Sequence, residues 1–406
     1  LNRRQYDILQ AVNGRDDVDA LANDLELNAD TLEQYLSMLA KTEIVSFNGF
    51  TVPEKPAAPN ALNFWIHTTN ACNLGCSYCY ISTLNTGKGM ADTVRQQLLL
   101  KMVEAAQNKG IRHIRLRLAG GEPLGQFNVW KTFIPEARAI LAEVGCRLDV
   151  GFVTNLTMLS DEIIAFSKEH GIGYGVSLDG VEQLHDATRS FQSGCGSFGI
   201  VDANLRKLIA AGVPVSVNTV VTNLNLIGLP DLTRYLIDMD IPFRYSIVKG
   251  EKIHPELLEE NLSASYAIMQ QAIENGWQFS KRYQFCDLKP NELGFQTCAS
   301  GFSGGAIYVD GTFKYCHVQF GDNIPAPTIF DDGLDLVDMI ASGEHHEDHK
   351  SDDCKKCRYR SVCTSGCPVY RIDGKDPQCS LYHRFIPKYY ELQAMERIHL
   401  MQEYAH

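Results

Sequence analysis

Long apolar runs and surplus positive charge are what these 406 residues lack. No apolar stretch reaches the roughly 18 to 20 residues a membrane helix needs, which argues against a spanning segment. Lys and Arg number 37 against 49 Asp and Glu, a formal charge of -12. A general nucleic-acid binder needs basic patches to neutralise phosphates, so that class is set aside. No signal peptide is read at the N-terminus, and a cytoplasmic location is expected. The chain opens at Leu1 where translation would start with Met, so the natural start is expected upstream. A hydrophobic fraction of 45% and a charged fraction of 21% are those of a globular protein with room for two or three domains.

Cysteine is abundant instead. Thirteen is a high and odd number, and several lie two to five residues apart. A secreted disulfide framework is usually smaller and carries a secretion signal. Metal or cluster ligation in a reducing cytosol is the better reading. Cys72, Cys76 and Cys79 stand at C-x3-C-x2-C spacing, directly after residues 62–69, which read as a buried strand. The triad therefore occupies a loop leaving a strand end, where barrel enzymes keep their chemistry. Three thiolates are one ligand fewer than a 4Fe–4S cube takes, so one iron would stay open.

Taken in order, residues 1–52 read as three helices, 3–11, 17–25 and one opened by Asn28 or Asp30 and running to about Lys41. An alternating stretch around Asn48-Gly49 then signals a hairpin. Three helices and a β-wing make a winged-helix-like unit. It carries four basic residues against nine acidic ones, with Asp30 and Glu33 where a DNA reader needs Arg or Lys, so peptide recognition is the expected role. Residues 53–60 form a Pro-rich linker. From 61 to 253 strands alternate with helices, with strands at 62–69, 113–118, 148–154, 173–178, 213–221 and 242–248. Six βα units imply an α/β fold built on a partial (β/α)6 TIM-type barrel. A bridging region spans 254–285, with a helix near 263–275. A cysteine-rich region covers 286–385 and a last helix 386–406, read as beginning near Lys388. The acidic and histidine-rich run 344–349 lacks apolar periodicity and reads as a solvated loop.

The triad, with Tyr78 before its last cysteine, resembles the radical S-adenosylmethionine (SAM) enzymes. The resemblance continues in matching order through Gly120-Gly121-Glu122-Pro123, Thr154-Asn155, Ser177-Leu178-Asp179-Gly180 and Arg189. It implies that Cys72, Cys76 and Cys79 hold a 4Fe–4S cluster whose open iron takes SAM. One electron then cleaves SAM to a 5′-deoxyadenosyl radical that abstracts hydrogen. It further implies that Gly120 and Gly121 let the backbone approach the SAM amino group and that Glu122 takes part in binding it. Asn155 counts among the SAM contacts, Ser177 and Arg189 hold the carboxylate, and Tyr78 packs near the adenine. An electron donor of flavodoxin or ferredoxin type follows as a partner.

The C-terminal cysteines resemble the SPASM domain, an extension carrying two auxiliary 4Fe–4S clusters. That resemblance assigns Cys298, Cys316 and Cys367 to one cluster and Cys354, Cys357, Cys363 and Cys379 to the other, three clusters in all. Cys286 is a candidate fourth ligand of the first auxiliary cluster, although it sits farther upstream than relatives suggest. Otherwise that position stays open to a substrate thiolate. Cys146 reads as a buried small residue, and Cys195 as a loop residue near Arg189.

Three functions compete. The first is a peptide (RiPP) maturase whose N-terminal unit grips the leader of a precursor peptide while the barrel forms a thioether, carbon–carbon or ether cross-link. The second is an anaerobic sulfatase-maturing enzyme that makes formylglycine. Those relatives have Asp directly after the cysteine matching Cys316, where this chain has His317. The third is an iron–sulfur redox-sensing winged-helix regulator, which the acidic third helix and complete SAM motifs disfavour. His317 is the candidate proton acceptor beside the auxiliary cluster.

Overall fold

A computed structural model of the chain describes residues 3–12, 16–41, 45, 58–80, 87–290, 294–342 and 349–403. Two compact units divide the chain at residues 54 and 55. The first holds α1 (Arg3–Ala11), α2 (Val18–Asp24) and α3 (Ala29–Lys41). Asp17 caps α2 by accepting from the Ala20 N–H at 2.8 Å. Asn28, not Asp30, caps α3 by accepting from Thr31 at 3.0 Å. Ile8, Leu21, Leu32, Leu36 and Leu39 form the small core of this unit. The expected hairpin about Asn48-Gly49 and the run 344–348 lie outside the described residues.

The second unit is built on an open nine-stranded sheet. Its elements in chain order begin with β1 (Ala61–His67), α4 (Asp92–Asn108), β2 (His113–Ala119), α5 (Phe127–Glu143) and β3 (Arg147–Thr154). Next come α6 (Asp161–Glu169), β4 (Gly173–Ser177), α7 (Gln183–Asp186), α8 (Phe198–Ala210), β5 (Val215–Val221), α9 (Leu229–Asp238) and β6 (Phe243–Ile247). The chain continues with α10 (Pro255–Glu274), α11 (Phe279–Arg282), β7 (Tyr283–Phe285), β8 (Gly304–Ile307) and β9 (Phe313–Lys314). The helices α12 (Leu336–Ser342), α13 (Asp352–Lys356), α14 (Arg360–Cys363) and α15 (Cys379–Glu403) end the described chain.

Strands β1 to β6 lie side by side in sequence order, all parallel, at the places expected from the sequence. The structure adds β7 parallel to β6 at one edge and β8 parallel to β1 at the other, with β9 antiparallel to β8. One sheet face is apolar and buried: Phe64 and Ile66, Leu116 and Leu118, Val150 and Phe152, and Tyr245 and Ile247 pack under the helices. Period-two alternation turns polar or small residues to the opposite face, such as Arg115, Arg117, Gly151, Gly175, Ser177, Asn218 and Ser246. Two cavities open on that second face. Ser160 caps α6 by accepting from the Ile163 N–H, with Asp161 and Glu162 suiting its positive end. Helix α15 starts nine residues before the expected Lys388 and runs through Pro387. No helix among the described residues is long and apolar enough to cross a membrane.

Candidate active site

At the C-terminal ends of β1 to β6 a cavity of about 460 Å³ opens on the second sheet face. Cys72, Cys76, Cys79 and Tyr78 line it, as do Gly120, Gly121, Asn155, Ser177 and Arg189. The C-terminal region contributes His317, Val318 and Tyr370 to the same wall, and Lys249 follows β6. Residues more than two hundred positions apart thus share one space.

Backbone pairing explains why Arg189 stands beside the cysteines. The Gly75 N–H donates to Ser190 O at 2.9 Å, the Ser77 N–H to Thr188 O at 3.0 Å, and Leu74 bridges Phe191. Gln192 Nε2 adds a bond to Cys72 O at 2.8 Å. The cysteine loop therefore lies along residues 188–192. Behind both segments sits Asp179, wholly buried. Its Oδ2 accepts from Tyr78 Oη, from Arg189 Nε at 2.7 Å and from Thr188 Oγ1 at 3.2 Å. Its Oδ1 accepts from the Val220 N–H at 2.9 Å. Burial works against the Arg189 charge, but Asp179, Tyr78 and Cys76 outweigh it and hold the guanidinium well above its ordinary range. The guanidinium also lies 5.3 Å from the centre of the Tyr78 ring.

Glu122 stands behind the wall, 2% exposed. Its carboxylate accepts from Thr154 Oγ1 at 2.6 Å, the Asn155 N–H at 2.8 Å and the Leu124 N–H at 3.0 Å. Burial nevertheless raises it to about 6. Glu122 thus fixes the turn carrying Asn155, whose Nδ2 reaches Asn73 Oδ1 at 3.0 Å and Cys72 Sγ at 3.7 Å. The two glycines before Glu122 are required by the protein's own backbone. A Cβ on Gly120 would stand 2.5 Å from Thr69 O, and one on Gly121 would run into the Ala71 carbonyl. Gly120 also has φ +131°, a region favouring glycine.

The donor set suits an iron–sulfur cluster. All thirteen cysteines are free thiols. N–H donors already point at the triad: Leu74 N at 3.5 Å and Asn155 Nδ2 to Cys72 Sγ, and Arg189 Nη1 at 3.7 Å to Cys76 Sγ. Such bonds stabilise thiolate ligands and tune a cluster. Burial pushes the Cys72 thiol up to about 11, with Glu122, Cys76 and Cys79 adding to the rise, so a bound cluster must displace its proton. Among the described residues no three His, Cys, Asp or Glu side chains close tightly enough for a single metal ion.

The downstream cysteines gather in two groups. Burial lifts Cys316 to about 12, with Cys298 and Cys367 as charged neighbours. Burial lifts Cys363 to about 12 as well, with Cys379 and Cys354 nearby, and Cys379 in turn faces Cys354 and Cys357. Cys286 is buried just past β7 with φ +49°. Burial raises its thiol, with Lys249, the Ile247 backbone, Asp287 and Tyr382 as its neighbours. Cys146 is buried and Cys195 exposed. His317 stacks on Trp65, ring centres 4.1 Å apart at 16°, and tilts against Tyr80 at 5.3 Å. Burial pulls its imidazole down to about 4, so the ring is neutral.

Sequence reasoning quoted Asp179 only within its motif, without a role, and passed over Asn218, Ser246, Lys249 and Tyr370. Asn218 and Ser246 had a signal: each follows another polar residue, Ser216 or Arg244, at period two on one face of its strand.

A family model described as the Radical SAM superfamily matches residues 66–235. An uncharacterised protein of Methanocaldococcus jannaschii is 28% identical over 46% of this chain and 63% of its own length. A cysteine-type anaerobic sulfatase-maturating enzyme of Clostridium perfringens is 22% identical over 77% of this chain and 90% of its own. The mycofactocin maturase MftC of Mycobacterium ulcerans is 26% identical over 77% of this chain and 85% of its own. Two solved structures share the fold. AnSMEcpe with bound AdoMet and Cp18Cys peptide gives a TM-score of 0.64 at 18% identity, covering 84% of this chain and 99% of that one. Streptococcus suis SuiB bound to precursor peptide SuiA gives 0.56 at 13%, covering 86% and 79%.

Proposed function

We propose that this chain, whose residues 66–235 match the Radical SAM superfamily model, is a radical SAM/SPASM maturase that cross-links a ribosomally made precursor peptide. One observation carries the reading. The cysteine triad, the SAM-motif residues and His317 and Tyr370 of the C-terminal region face a single cavity of a size to admit a peptide side chain. The sulfatase-maturating enzyme and the mycofactocin maturase aligned with most of this chain add support.

In this reading Cys72, Cys76 and Cys79 hold the first 4Fe–4S cluster. When bound, that cluster and SAM supply a one-electron cleavage yielding a hydrogen-abstracting adenosyl radical. Asp179 orients Arg189 and Tyr78, and Arg189 presents its charge to the SAM carboxylate beside Ser177. Glu122 sets the turn that brings Asn155 against Cys72. The Trp65–His317–Tyr80 stack closes the side toward the C-terminal region and limits water. Cys298, Cys316 and Cys367 hold one auxiliary cluster, and Cys354, Cys357, Cys363 and Cys379 the other. Cys286, which shares the charged neighbours Lys249 and Asp287 with Cys367, is the candidate fourth ligand of the first of these. Residues 1–52 act as the winged-helix-like grip for the leader peptide, and a flavodoxin or ferredoxin-type protein supplies electrons.

The alignment with a sulfatase-maturating enzyme favours a second reading, formylglycine formation. His317, neutral and stacked on Trp65, stands where the sequence comparison expects an Asp in those enzymes. Co-expression separates the two readings. A short peptide encoded beside the gene, analysed by mass spectrometry, gains a cross-link in the first. In the second it remains unmodified, while a sulfatase-derived cysteine peptide becomes an aldehyde.

A further inference from the structure

At the N-terminal ends of the strands the same sheet face holds a second cavity, of about 330 Å³. Bulky side chains normally fill this end of a barrel. Here Gly151, Gly173 and Gly175 leave the face bare, and Arg115 and Arg117 of β2 project into the space. Neither guanidinium meets a carboxylate or any hydrogen-bond partner among the described residues. The nearby carboxylates are already engaged. Asp149 binds His113 at 2.8 Å and Arg147 at 2.9 Å, and Asp287 binds Arg244 at 2.6 Å. Both side chains are exposed to solvent along the open side of the cleft, and partial desolvation with Arg115 and Arg244 as neighbouring cations lowers Arg117 from its ordinary range. A chain of net charge -12 therefore places two arginines in a cleft with one carboxylate, Asp149, which is the strand partner of Arg115 but is bonded to His113 and Arg147. Low-dielectric walls focus such a field on an incoming anion.

We propose that Arg115 and Arg117 form a carboxylate-binding site that holds an acidic segment of the substrate peptide while another residue of that peptide faces the cysteine triad. The proposal rests on the peptide-maturase reading. Position on the sheet favours a peptide over a small ion. Both cavities lie on one face of β3 and share Val153. Asp149 lines this cavity and Thr154 the other, five residues farther along β3. At ~3.3 Å per residue the two ends lie about 17 Å apart, so an extended peptide would carry its acidic residues roughly five positions from the one modified.

Calorimetry on the full chain with reconstituted clusters, without reductant, tests this apart from the chemistry. The probes are a short peptide with two adjacent Glu and its Gln counterpart. The Glu peptide is expected to bind roughly tenfold tighter, with a difference that fades with salt. The double variant Arg115→Gln/Arg117→Gln is expected to lose that difference, while Arg206→Gln, at an exposed arginine of α8 away from the cleft, keeps it. Circular dichroism melting checks that both remain folded. Equal binding of the two peptides by the native chain, or a preference surviving in the double variant, overturns the site. Displacement of the Glu peptide by equimolar inorganic phosphate also overturns it, in favour of a small-anion site. Failure to modify any peptide despite this binding counts against the maturase reading alone.

Discussion

Replacing Asp179 by Asn isolates the group that ties the cysteine loop to Arg189. The buried carboxylate accepts four bonds, three of them at Oδ2. With its oxygen kept at the Oδ1 position, Asn points an NH2 at Arg189 Nε, which can only donate, while the Tyr78 and Thr188 hydroxyls must turn to accept. Flipping the amide only moves that conflict to the Val220 N–H. Arg189 also loses its countercharge inside the protein. Removing one partner of a buried ion pair costs about 3–5 kcal/mol. Each neutral bond lost costs about 1 kcal/mol more, and local relaxation returns part of the total. A loss of about 4 kcal/mol in unfolding free energy is expected in urea denaturation of the full chain. SAM binding by calorimetry is expected to weaken roughly tenfold, equal to about 1.4 kcal/mol. Tyr78→Phe alone removes one donor and costs about 1 kcal/mol. Because that donor faces the same oxygen, the double variant is expected to cost less than the sum of the singles. An Asn variant within about 0.5 kcal/mol of the native chain, with SAM affinity unchanged, refutes the reasoning.

His185 gives a pH test. It is wholly buried, its Nδ1 accepts from the Asp179 N–H at 3.2 Å, and burial lowers it to about 4 from 6.5. A depressed imidazole contributes stability that is full above 6.5 and is lost as pH falls through 4. The native chain is expected to lose about 3 kcal/mol across that window relative to His185→Asn, and parallel stability curves count against it. Gly121→Ala is expected to displace the Ala71–Cys72 backbone and remove about four irons per chain. Gly110→Ala, whose Cβ meets nothing within 4 Å, is expected to retain iron with a loss of about 1 kcal/mol for its positive φ; equal iron in both contradicts the close packing. Deleting residues 1–52 is expected to weaken precursor binding in calorimetry while leaving cluster iron intact, and unaltered affinity reduces that unit to a structural cap.

Strands β1 to β6 were legible because each pairs an apolar face with a polar or small one over five to eight residues. β7 and β9, with three and two residues, are too short to show a period. β8 opens Gly304-Gly305, which reads as a turn. In the fold Gly304 packs against the Asn63 carbonyl, so only glycine brings β8 beside β1. Helix α10 starts at Pro255, eight residues before the expected helix, because a first-turn proline went unused as a start signal. Helix α15 was truncated because Pro387 reads as a breaker. The motif residues of the site were legible from order and spacing. Asp179 was quoted within its motif, but its work is done through contacts that spacing does not reveal. The Arg115–Arg117 pair was hidden because alternate arginines on a strand read as an ordinary solvated face.

The most direct measurement of the radical-maturase account follows a deuterium atom. The chain is reconstituted anaerobically with iron and sulfide and given SAM, a reductant and the precursor peptide deuterated at its modified residue. The 5′-deoxyadenosine produced is expected to carry deuterium in step with peptide modification, and Cys72→Ala is expected to abolish both. Peptide modification without deuterium in 5′-deoxyadenosine, or undiminished in Cys72→Ala, contradicts the account.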